Sequence, residues 1–521
     1  MRSNIFRKIF YVFVIVLIGL AIYLLYKDGK KENSNIKGNE LKINMINEFN
    51  IGIIEYDTIN PILSNNRDIQ YIDKLVFDSL IDISYDFKII NSLAKEFSKI
   101  NSTTYLIKLR ENVFWHDGTR FTARDVIFTI ENLINSNIES IYKENVKNID
   151  KIMQIDDYTI KIFLKEETPF FEYMMCFPIV ASHAYDQKFN STTELPIGTG
   201  KYKIIKIEEN KIEIGKNNLE DEGKINKINV LIKNNMKELY SGFSNKEIDF
   251  IITNNNMYEE YIGTMGYNVN SSCGRELEYL VFNNKDYLLA NKNIRKAIDF
   301  AIDKTLINYN IYQNKYSNCK FPLDYGSYLY SSQTEANDYN LNIAKDLLIQ
   351  EGFLYSNGKW KKGNKTLEFK LVVNESNEKR VACANQIKEQ LDNFGIKINI
   401  VKVNNNRYSN YIKNKNYDII LTGNIVSNNP NLETYFGENN ISNFTNEELK
   451  NILNEVRNIS SEDVLKEKYD KIKEIYIEEK PFICLYFNNI TILTNLNLKG
   501  DLSHNWYNLF YNINNWYKVE E

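Results

Sequence analysis

"LEFKLVVNESNEKRVACANQIKEQLDNFGIKINIVKV", residues 367–403, holds the reading that decides the fold. "LEFKLVVN" is an apolar run of strand length, and "KRVACANQIKEQLDNFG" carries a helical period that Gly395 stops. "IKINIVKV" is a second strand, rich in β-branched residues. The pattern then repeats, with a short helix in "RYSNYIKN" and a third strand in "YDIILTGN". Two successive strand–helix–strand units predict a mostly parallel sheet with right-handed crossovers. Ligands on such sheets bind beyond the carboxyl ends of the strands. The segments leaving those ends are Asn374, Glu375 and Ser376, and Gly423 through Pro430, so a cleft is expected there.

Upstream, "NIRKAIDFAIDKTLI" and "NIAKDLLIQEGF" are predicted as amphipathic helices, and residues 150–275 read as β-rich. "LPIGTGKY" is a glycine turn without the spacing of a phosphate loop. "IQYIDKLVFDSLI" is predicted helical on the stripe Ile72, Leu75, Val76 and Leu80, and "TTYLIKLREN" as a strand with Tyr105, Ile107 and Leu109 on one face. In "VFWHDGTRFTARDVIFTIENL", residues 113–133, His116 to Thr119 form a turn on the Asp-Gly signal, and Thr122 stands three before Asp125 as a helix cap. Val126, Ile130, Leu133 and Ile134 are the expected buried stripe. Each polar residue there has a structural task, so the stretch is a turn and a cap with no catalytic role. Downstream come a helix in "EKYDKIKEIYIEEK", a strand in "PFICLYF", and an aromatic tail, "NWYNLFYNINNWYK", expected to pack back on earlier parts of the chain.

The chain has 521 residues, 43% hydrophobic, 25% charged and with a net charge of −4. This is a globular composition, and without a basic face it argues against nucleic acid as a partner. The five cysteines, Cys176, Cys273, Cys319, Cys383 and Cys484, show no C-x-x-C spacing and read as separate buried thiols. The three histidines, His116, His183 and His504, form no metal pair, and hydrolase, zinc-protease and phosphate-loop motifs are missing. No enzyme, cofactor or metal is expected. At the amino terminus Arg2, Arg7 and Lys8 precede an uncharged apolar run from Ile9 to Tyr26. About 18 residues at roughly 1.5 Å each nearly cross a bilayer. Residues 1–26 are therefore read as an uncleaved cell-membrane anchor and 27–40 as a polar tether, leaving the rest extracytoplasmic.

"YLIKLRENVFWHDGTRFTARDVIFTIENL" resembles the signature of the extracytoplasmic solute-binding proteins of peptide and nickel ABC importers, bacterial family 5. "DTINPIL", "LPIGTGKYKI", "EYLVFNNKD" with "NKNIRKAIDFAIDK", "GIKINIVKV" with "YDIILTG", and "EKPFICLYFN" follow in the family's order. The resemblance implies an α/β, periplasmic-binding-protein-like (type II) fold of two lobes with an inserted extra domain. Lobe 1 would comprise 41–79, 194–276 and 491–521, the inserted domain 80–193, and lobe 2 277–490, with crossings near 276 and 490. It implies capture of a peptide or peptide-like solute between closing lobes, delivery to ABC permease subunits, and action as a monomer.

The implied ligand contacts are Asn65, Asn66 and Arg67 in an early loop, Asn374 and Glu375, Gly423, Asn424, Ser427 and Asn428, and the late aromatic Tyr486. Peptide-binding members hold the ligand's ammonium with an aspartate in a segment resembling G-W-x-x-D. Here that segment reads "GNIVSNNP", with neither Trp nor Asp. A buried ammonium without a counter-charge costs several kcal/mol, so Glu375 or Glu433 substitutes, or the ligand has no free amino terminus. A nickel reading lacks the histidines it needs. A second reading keeps the fold and makes the chain a sensor of a signalling peptide without import.

Overall fold

The structure, a computed structural model, describes residues 45–254, 257–330, 339–459 and 461–520. The apolar anchor run and the tether lie outside the described residues. Among the described residues no helix is long and apolar enough to cross a membrane.

Asn47–Lys518 forms one compact unit. It starts with β1 (Glu48–Ile54) and α1 (Arg67–Val76). Next comes a separate four-stranded antiparallel sheet of β2 (Ala94–Asn101), β3 (Thr104–Leu109), β4 (Ile149–Asp156) and β5 (Thr159–Leu164), ordered β2-β3-β5-β4. Helix α2 (Ala123–Asn135) lies between β3 and β4 in the chain. The chain returns through β6 (Tyr202–Glu208), β7 (Lys211–Lys216), β8 (Lys227–Lys233), α3 (Met236–Ser244) and β9 (Phe250–Thr253). A sixteen-residue strand, β10 (Tyr267–Phe282), follows. Beyond it are α4 (Lys292–Phe300), α5 (Lys304–Tyr312), β11 (Tyr316–Asn318) and α6 (Leu341–Gln350). Then come β12 (Glu368–Asn374), α7 (Glu378–Phe394), β13 (Lys397–Val403), α8 (Asn405–Asn414) and β14 (Ile419–Ile425). The last long elements are α9 (Glu447–Val456), α10 (Glu462–Glu479) and β15 (Phe482–Asn495).

The main sheet has eleven strands ordered β13-β12-β14-β10-β15-β9-β1-β8-β7-β6, with β11 added alongside β15. The expected parallel units are present: β12 pairs in parallel with β13 and with β14. Because β13 and β14 lie on opposite sides of β12, the crossovers diverge at its carboxyl end and open a switch point there. Strands β10 and β15 carry the sheet from one half to the other. Tyr267–Cys273 pairs with the Asn489–Asn495 end of β15, and after an irregularity Leu277–Val281 pairs with its Phe482–Phe487 end. At the break Asn488 Oδ1 accepts the Glu276 N–H at 2.9 Å. A Cβ on Gly274 would meet that oxygen at 2.3 Å, so only glycine lets the two strands approach there.

The core follows this division. Phe49, Ile51, Tyr105, Ile130 and Phe250 share one buried cluster with Trp506, Phe510 and Trp516 of the aromatic tail, which does pack back. On β12 and β14, Leu371, Val373, Ile419 and Leu421 feed a second cluster, while Val372 and Ile420 feed a third. Alternation along a strand sends neighbours to opposite faces, so this sheet half is covered on both sides.

The opening motif is a turn and a cap, as its residues indicate. Gly118 has φ +87°, and Asp125 accepts the Thr122 N–H at 2.9 Å. His116 does more: Nδ1 accepts from Gly198 N at 3.2 Å, and Nε2 lies 3.0 Å from Gly200 O. It clamps the "LPIGTGKY" turn against the end of α1, where Gly200 N donates to Val76 O at 2.9 Å. That approach also corrects an expectation. The helix predicted to run through Leu80 stops at Val76, because its terminal carbonyl is taken by this turn. The helix predicted over 293–307 is two helices: Asp303 caps α5 by accepting from Leu306 N. Ile134 is 37% exposed, since Val126, Thr129, Ile130 and Leu133 already fill the inner face of α2.

Candidate binding site

The expected contact residues divide into those the fold uses up in its own hydrogen bonds and ion pairs and those left nearer the surface. Asn66 caps α1, accepting from Asp68 N and Ile69 N at 3.0 and 3.1 Å, and Asn65 N donates to Asp57 Oδ2. Asn374 donates to Asn405 Oδ1 at 2.8 Å at the end of β12, beside exposed Glu375. Gly423 and Asn424 are inside β14 rather than beyond it. A Cβ on Gly423 would stand 2.6 Å from Arg380 Nη2 and 2.7 Å from Glu278 Oε1, so the glycine makes room for that ion pair. Asn424 exchanges hydrogen bonds with the Tyr435 hydroxyl. Tyr486 is wholly buried, and its hydroxyl donates to Lys304 O at 2.9 Å. This corrects its placement as a ligand contact, because β15 turns that side chain into the core. Glu433 is paired with Arg457 and is no free counter-charge.

Arg67, Ser427 and Asn428 have other surroundings. Arg67 lies 4.0 Å from Glu276, at the break in β10. Next to it, Arg275 Nε donates to Val426 O at 2.8 Å, and its guanidinium stacks 4.1 Å over the Trp506 ring. Ser427 is exposed, and Asn428 donates to Tyr173 O at 3.2 Å. Trp506 ties Arg275 to other segments. Its Nε1 donates to Asp324 Oδ1 at 2.6 Å, and Phe87 stacks on it at 5.6 Å. Burial pushes the Asp324 carboxyl up to about 7, against the pull of the Trp506 bond and the Arg275 charge.

Beside these contacts lies a cavity of about 550 Å³. Its floor is Val269–Cys273 of β10, immediately before the break. Three other segments wall it: Tyr85 and Phe87, then Ser317, Tyr325 and Gly326, then Ser503, His504 and Asn505. Phe87 holds φ +66°, a left-handed conformation that costs a bulky residue about 1–2 kcal/mol. The Tyr173 hydroxyl on its carbonyl, at 3.0 Å, and the Trp506 stack keep it there. Burial pushes the Cys273 thiol up to about 11, so it is an inert wall group. A larger hollow of about 820 Å³ lies between α9 and the loop before it, but residues 433–457 alone line it. The β10 cavity, by contrast, takes its walls from four stretches far apart in the chain.

None of the expected contact residues lines that cavity. The sequence signal that could have found it was the uncharged polar run "NSSC", residues 270–273, in the crossing strand just before Gly274. Among the described residues no group of three His, Cys, Asp or Glu side chains is placed to hold a metal ion.

Residues 88–443 match the family described as Bacterial extracellular solute-binding proteins, family 5 Middle. The chain belongs to this family. Over its whole length the family 5 protein is similar to the oligopeptide-binding protein AppA of Bacillus subtilis, 22% identical over 98% of this chain and 99% of the relative. Its fold is that of the unliganded open form of the periplasmic murein tripeptide-binding protein MppA, with a TM-score of 0.79, 18% identity and coverage of 92% and 98%. NikZ of Campylobacter jejuni, solved with Ni(L-His), matches with a TM-score of 0.59, 22% identity and coverage of 91% and 99%. The mixed α/β, periplasmic-binding-protein-like fold implied by the sequence is thereby shown.

Proposed function

We propose that this chain is the substrate-binding protein of an ABC importer and captures a peptide or peptide-like solute in the β10 cavity. One observation carries the reading: the cavity lies on the paired crossing strands and takes its walls from four separated stretches of chain. In this reading lobe 1 is 41–79, 194–276 and 491–521, the inserted domain is 80–193, and lobe 2 is 277–490. Arg67, Ser427 and Asn428 are the expected contact residues that meet when the lobes close. Lys88–Glu462 at 2.8 Å and the Tyr328 N–H to Asp86 O bond at 2.8 Å join the inserted domain to lobe 2 in the same closure. The relatives' roles favour import over sensing. The run Ile9 to Tyr26 would hold the protein at the membrane beside its permease, as a monomer.

Closure requires a ligand that binds the closed form better, so bound ligand stabilises the fold. Native mass spectrometry of the protein purified from its source should find a co-purifying peptide-like mass. Its removal should lower the melting temperature, by the equivalent of about 3 kcal/mol at a hundredfold excess of ligand over Kd. A protein that carries no ligand and whose melting ignores added peptides would sink the reading.

A further inference from the structure

We infer that the portion of the ligand held in the β10 cavity is uncharged, an amide- and hydroxyl-bearing segment with neither a free ammonium nor a free carboxylate. The inference rests on the reading of this cavity as the capture site. Among the described residues the wall holds no Asp, Glu, Lys or Arg. Two charges beside the adjoining Trp506 are already engaged: Arg275 is bonded to Val426 O and stacked on Trp506, and Asp324 accepts from Trp506 Nε1. His504, the wall's one titratable imidazole among the described residues, is buried with its nitrogens 3.3 and 3.2 Å from Leu502 O and Ile490 O. Burial holds its pKa below the ordinary histidine value, which keeps it neutral.

A charged ligand end would therefore be desolvated with nothing to answer it, a cost of several kcal/mol. A neutral ligand meets the opposite situation. Tyr85, Phe87 and Tyr325 offer aromatic faces, and Asn270, Ser271, Ser317, Ser503 and Asn505 supply neutral polar groups to the lining. Ligand amides and hydroxyls suit such a lining.

The test offers the full-length protein two versions of one synthetic mixture of di- to pentapeptides, with free termini or acetylated and amidated, and reads retained masses by native mass spectrometry. Capped peptides should be retained at least about tenfold better. Asn270→Asp should shift retention towards peptides with a free amino terminus. Equal or better retention of the free-ended mixture overturns the inference and leaves peptide capture standing. Retention of neither overturns peptide capture itself, and the inference with it. Should Asn270→Asp fail to fold, the unmodified protein still decides.

Discussion

Asp324 is 6% exposed, and its carboxyl has Trp506 Nε1 and the Arg275 charge for company. Its folded pKa of about 7 stands above the ordinary 3.8. Folding therefore favours the protonated acid. That contribution is full below the unfolded value and is lost as pH rises through the folded one. Asp324→Asn keeps an oxygen for Trp506 and removes the buried charge. The variant should gain melting temperature relative to the parent on going from about pH 5 to about pH 8, and a gain confined to the acid side would refute the assignment. His116→Ala tests a different residue. It removes two hydrogen bonds from the turn that seats on α1 and should cost about 2 kcal/mol of stability, read from denaturant melts, with ligand affinity unchanged. Lost affinity at full stability would give the motif a binding role after all.

The elements show where local pattern suffices. β12, α7, β13, α8 and β14 fall where periodicity and the Gly395 stop put them, because each is long and its apolar face is regular. The helix over 293–307 divides because Asp299, fully buried, is held by Lys304 at 2.8 Å and by Lys480 at 3.0 Å. Lys480 is distant in sequence, so no local window contains that reason. Gly423 makes the same point about a strand. Its lack of a side chain admits the half-buried Arg380–Glu278 pair, which links α7 to β10. Gly423→Ala should break the pair and cost about 3 kcal/mol or more in denaturant melts. A variant as stable as the parent would mean that the pair can shift aside freely.

For the whole molecule, the prediction concerns where it resides. Cell fractionation should leave the intact chain with the membranes, as an uncleaved run from Ile9 to Tyr26 requires. A shorter, freely released form would show that the run is removed. In the proposed reading the lobes separate to admit a ligand. The exposed Lys88–Glu462 pair adds little to holding them together, since water screens both charges. Trp506, which touches Phe87, Arg275 and Asp324, is the stronger tie.

By itself the sequence determined the α/β class, the parallel units, the His-Asp-Gly turn and the family, because these rest on short-range periodicity and on collinear motifs. Only the tertiary structure decided which side chains face the cavity. Tyr486 went to the core and Asn66 to a helix cap, while "NSSC" on β10 became the floor of a cavity. The reason is physical: a cavity wall is assembled from segments hundreds of residues apart. Whether a polar side chain meets a ligand or a neighbour depends on packing that no single segment encodes.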